Sequence, residues 1–156
     1  MSSLINSRTV RSVYLLILIS AGCGIIEEDQ TVINPVLIGK GELYGAGAEG
    51  ISMQNIVISD SAAWNELMSK MDSVNNVTGS FSETEIDFSN NLILAAFDQI
   101  RPSGGYSIEI KSIREFTGSI IVNIENVIPV GVVTGVITQP YHIVKIPKKN
   151  KQIVFE

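Results

Sequence analysis

Few residues in this chain could do chemistry, and their types limit what that chemistry is. There is one histidine, His142, and one cysteine, Cys23. A zinc site needs clustered imidazoles and thiolates, which one of each does not supply. His142 sits inside the alternating segment Tyr141–Ile146 and reads first as a strand histidine. A hydrolase built on it would also need a nucleophile, and no G-x-S-x-G elbow is present. Glu83, Glu85 and Asp87 fall at spacing two, so an extended segment would put them on one face. Three carboxylates can bind calcium, but the oxygen spacing and glycine of a calcium loop are missing, so a solvated acidic edge is expected. Gly45-Ala46-Gly47-Ala48-Glu49-Gly50 is a formal G-x-G-x-x-G. A dinucleotide fingerprint needs a strand before it and a helix after it. Here the alternating Asn55-Ile56-Val57-Ile58 follows instead, so these glycines are assigned to turns or a bulge. No catalytic residue, metal site or cofactor is predicted.

Cys23 has a different context. Arg8 and Arg11 precede the apolar run Val13–Ile19, the small residues Ser20-Ala21-Gly22 follow, and no acid occurs before Glu27. This is the layout of an export signal. Its end resembles a bacterial lipobox, with Ser20 where leucine is usual. That resemblance implies cleavage after residue 22, lipidation of Cys23 and no free thiol in the mature chain. Several acyl chains hold a protein to a bilayer where one binds only marginally. The predicted localisation is therefore the bacterial cell envelope, lipid-anchored, facing the periplasm or the cell surface. Residues 23–30, with Glu27, Glu28 and Asp29, read as an acidic tether; such clusters also resemble surface-sorting signals. Loss of Arg8 and Arg11 takes the formal charge from −5 to −7. That balance argues against nucleic acid as a partner.

The elements that must position any site lie in residues 31–156, read as one β-rich domain. A composition of 45% hydrophobic and 17% charged residues supports a packed core. Thr31–Ile38 carries Pro35 and reads as an edge strand or irregular lead-in. Asp60 offers a helix cap, and Trp64, Leu67, Met68 and Met71 make one apolar stripe at i, i+3, i+4 and i+7. The spacing predicts a helix over 60–71. Residues 72–91 form a polar connection. Leu92–Phe97 is apolar throughout, as expected of a central strand covered on both faces. Segments from Gly105 and Ile120 alternate about the turn Thr117-Gly118 and form a hairpin. Tyr141–Ile146 alternates again until Pro147, and Gln152–Phe155 adds a short last strand. The predicted class is α+β: mainly antiparallel β-sheet with one amphipathic helix.

Two motifs carry a family resemblance: Arg101-Pro102-Ser103-Gly104-Gly105-Tyr106-Ser107-Ile108-Glu109-Ile110, and Gln139-Pro140-Tyr141-His142-Ile143-Val144-Lys145-Ile146-Pro147-Lys148. Residues 92–148 resemble the C-terminal domain of the protease complex subunit PrcB family. Ser103 replaces the usual threonine, and Gly135 replaces a glutamine after Val133-Thr134. The resemblance implies a non-enzymatic subunit that associates with, and stabilises, a surface or secreted protease. The segments 101–106, 130–135 and 139–142 also resemble, in order, the three loops of chagasin-type cysteine protease inhibitors, with Tyr141 in place of tryptophan. A protein-binding module is the expected function; a protease inhibitor, or a hydrolase using His142, is the alternative. The candidate binding residues are Arg101, Pro102, Gly104, Gly105, Tyr106, Pro140, Tyr141 and His142. The partner is a protein, with a protease as the implied class. If the two strand starts share one end of the sheet, Arg101 and both tyrosine rings form one patch of residue types enriched at interface hot spots.

Overall fold

The computed structural model describes residues 30–156; the expected export signal, Cys23 and the expected tether up to Asp29 lie outside the described residues. Among the described residues, eight strands and one α-helix follow in chain order: β1 Thr31–Val32, β2 Val36–Leu43, β3 Gln54–Ile58, α1 Ser61–Met71, β4 Asn91–Phe97, β5 Ser107–Glu115, β6 Ser119–Val127, β7 Gln139–Pro147 and β8 Gln152–Phe155. They form two four-stranded sheets, ordered β2-β7-β4-β3 and β1-β5-β6-β8. The class is α+β and mainly antiparallel. One pair departs from that rule, because β8 lies parallel to β6. A strand that follows β7 has crossed from the other sheet, so it need not reverse against β6 as a hairpin partner would.

Helix α1 covers one face of the β2-β7-β4-β3 sheet and the second sheet covers the other. The side chains of β4 divide accordingly: Ile93, Ala95 and Phe97 meet the helix, whereas Leu92, Leu94 and Ala96 meet the second sheet. Burial on both faces is why this strand is apolar at each position from 92 to 97. Asp60 caps α1, its Oδ1 accepting from Ala63 N at 2.9 Å; replacing such a cap costs about 1 kcal/mol. Trp64, Leu67 and Met71 are buried, with Met68 half-buried beside them. The Trp64 indole donates to Thr84 O at 2.7 Å, so the ring is buried with its polar atom satisfied.

Three segments refine the sequence reading. Pro35 interrupts the lead-in, so β1 joins one sheet and β2 the other. The glycine-rich stretch begins inside β2: Gly39 follows a bulge after Leu37, and a side chain there would meet the Phe81 ring at 2.5 Å. The 72–91 connection is also less polar in function than in composition. Its Phe81 stacks on Trp64, with centroids 6.0 Å apart, and Ile86 and Phe88 line the helix-side core. The three alternating acids Glu83, Glu85 and Asp87 take separate paths. Glu83 pairs with Lys145 at 2.5 Å, Asp87 accepts from Ser89 and Asn90, and Glu85 is exposed.

Candidate functional site

The loop from β4 to β5 holds the first motif, and hydrogen bonds to Asp98, Thr138 and Glu42 fix its shape. Asp98, at the end of β4, accepts from Gln99 N at 2.8 Å and pairs with Arg101 Nε at 2.7 Å. The Arg101 side chain is only 17% exposed, and its guanidinium lies 4.7 Å from the Tyr106 ring centroid. Such a cation over an aromatic face contributes about 0.5–1 kcal/mol. Arg101 and Thr138 exchange both backbone hydrogen bonds, at 2.7 and 3.0 Å. Gly105 N donates to Glu42 Oε1 at 3.1 Å, and the same carboxylate receives Tyr44 OH on its other oxygen at 3.2 Å. Burial, and then that carboxylate, holds the Tyr44 hydroxyl's pKa above its ordinary value. Gly105 sits at φ +87°, where an added side chain would also come within 3.1 Å of Pro129.

The loop from β6 to β7 lies against this platform. Gly104 N donates to Thr134 O at 3.1 Å. Among the described residues that is the one backbone hydrogen bond made by residues 128–137. The loop projects Ile128, Val130, Val132, Val136 and Ile137 into solvent; Val130 and Val132 are 101% and 105% exposed about Gly131, whose φ is +98°. Below it, Gln139 is buried, and its amide donates to Ile51 O and Asp98 O, each at 2.9 Å.

The sequence-predicted patch forms only in part. Arg101, Pro102, Gly104, Gly105 and Tyr106 lie together on the platform. Pro140, Tyr141 and His142 belong to β7, and the alternation of a strand sends neighbours to opposite faces. Tyr141 is 3% exposed and packs against Phe81 and Phe97 under the helix, and burial pushes its hydroxyl pKa up. Pro140 is buried and its carbonyl accepts from Asp98 N. The two tyrosine rings therefore do not share a surface, which corrects the expected patch. The third loop of the chagasin comparison is likewise a strand here.

His142 points to the other sheet. Its Nδ1 accepts from Ile110 N at 2.9 Å, beside the register shift in β5, so the ring proton sits on Nε2. Burial, then the nearby Lys40, holds the imidazole below its ordinary pKa, against a smaller opposing effect of Glu109. The histidine thus fills a backbone vacancy between the sheets. The residues that sequence reading passed over are Glu42, Asp98 and Thr138, which pin the platform; the exposed valines lie in or beside the 130–135 segment of the chagasin-type resemblance but are absent from the expected binding residues. The signal for the valines was a β-branched run broken by Pro129, Gly131 and Gly135, without charge or alternation.

Residues 92–147 match the family model described as PrcB C-terminal. The matched segment spans β4 to β7, and so includes both loops of the site. No curated protein and no solved structure matches the chain.

Proposed function

We propose that this chain is a non-enzymatic envelope lipoprotein that docks a protein partner through the paired loops 98–106 and 128–137. The observation that carries this reading is the pair of fully exposed valines, Val130 and Val132, mounted beside the pinned Arg101–Tyr106 platform. Contiguous exposed apolar surface costs solubility and marks interaction sites. The PrcB C-terminal match supports a protease as the class of partner. The lipobox-like ending at Cys23 supports attachment to the envelope.

A photo-crosslinking residue placed at Val132 in growing cells tests the docking surface. The expected result is one dominant adduct with a surface or secreted protease, lost when Val130→Asp is added. An adduct with an unrelated protein refutes the protease assignment, and no adduct refutes the docking surface. His142→Gln leaves the adduct in place; loss of a hydrolytic activity in that variant would favour the enzyme reading instead. Incorporation of labelled palmitate that vanishes in Cys23→Ala tests the anchor.

A further inference from the structure

The four sheet edges are not equally protected. An open edge presents unpaired N–H and C=O groups, and proteins commonly guard it with charge, proline, a bulge or shortness. Strand β1 has two residues, β2 carries a bulge and Lys40, and β8 has four residues directly after Lys151. Strand β3 has none of these devices. Its five residues, Gln54-Asn55-Ile56-Val57-Ile58, are uncharged and pair in regular register with β4 alone. Among the described residues, its outward backbone groups make no hydrogen bond. Val57 is 40% exposed and Asn55 is exposed.

Between β3 and α1 runs a groove of about 300 Å³, with Ile56, Ala63 and Leu67 on its walls and Glu66 and Lys70 above it. These two charges sit one helical turn apart and pair at 2.8 Å while both are exposed.

We infer that β3 pairs antiparallel with β3 of a second copy of this chain, joining two sheets into one across a twofold axis. The charges select a copy over an unrelated strand. An antiparallel copy presents the same acid and base in reversed order, so Glu66 faces the partner's Lys70 and Lys70 faces the partner's Glu66. With the axis at Ile56, Asn55 lies opposite the partner's Val57, and no like charges meet. A self-complementary patch of this kind closes as a dimer and goes no further.

Sedimentation equilibrium of the full chain in mild detergent tests this, with the detergent mass matched out. The expected result is a doubled protein mass at high concentration. Asn55→Lys with Val57→Lys sets like charges opposite each other and should weaken dimerisation at least ~10-fold. Both side chains are exposed, so the thermal melt should not change. Glu66→Lys should weaken the dimer several-fold, and adding Lys70→Glu should restore it, because the swapped pair is again complementary. A monomer at every concentration, or a dimer that survives the two lysines, overturns the inference. If the two lysines lower the melt, the surface charge swap decides instead, and a dimer indifferent to Glu66→Lys overturns the pairing.

Discussion

The two loops that share the site are built in opposite ways. Apart from Ile100 and Tyr106, residues 98–106 are polar, small or proline, and the loop is tied down at several points: Asp98 to Arg101, Arg101 to the buried Thr138, Gly105 to Glu42. Residues 128–137 are mostly apolar, stand largely in solvent and make one backbone hydrogen bond to the platform, from Gly104 to Thr134, beside the packing of Pro129 near Gly105. The first spends its polar groups on its own shape, which leaves few of them to recognise a partner. The second keeps its apolar surface unburied, so under the proposed function its hydrophobic gain would come on docking. Arg101 illustrates the difference. Its residue type suggests a hot spot, but its charge is already neutralised by Asp98 and its face covers Tyr106, so it positions the loop.

That contrast can be broken from the pinned side first. Asp98→Ala strands the Arg101 guanidinium in a nearly buried site and should cost about 3 kcal/mol, read from denaturant unfolding. Gly105→Ala forces a side chain into a left-handed backbone and against Pro129, and a loss of about 1–2 kcal/mol is expected in the same assay. The pH response comes next. His142 binds its proton less readily folded than unfolded, so the unfolded state takes up more protons as pH falls. Its stabilising contribution is complete above the ordinary value of 6.5 and is lost as pH drops below it. Protonation of Nδ1 also ends its acceptance from Ile110 N. Melting temperatures at pH ~8 and ~5 should differ more for the wild type than for His142→Gln. The smallest effect on stability belongs to the free loop: Val130→Ser with Val132→Ser should stay within ~0.5 kcal/mol of wild type while partner capture fails. A large fall in melting temperature in that variant would mean that the valines serve the fold.

The elements that follow a clean period are legible in the amino-acid sequence alone. The α1 stripe, the uniformly apolar β4 and the β5–β6 hairpin each have one dominant pattern, and burial in two cores explains each. What the sequence conceals are relations across distance. Tyr141 looks like a surface anchor after Pro140, yet β7 is interior in its sheet and its odd residues face α1. The loop resemblance names both 101–106 and 130–135. That these two loops lie together while 139–142 is a strand is hidden, because nothing local shows that Glu42 and Thr138 tie the platform beside the second loop. Phe81 is hidden for a similar reason: it sits in a polar stretch, and the gap that receives it is made by Gly39, in another element.

The place of β7 has a consequence for the order of events during synthesis. It lies between β2 and β4 and pairs with both, so these two early strands never touch each other's edges. A chain still being made has therefore produced β2, α1 and the apolar β4 well before the strand that seats them. Until residues 139–147 emerge, the helix-side core has no floor, and non-local pairing of this kind is slow and leaves apolar segments exposed. The β3–β4 pair and the β5–β6 hairpin can form earlier, but the β2-β7-β4-β3 sheet closes late, around a single strand.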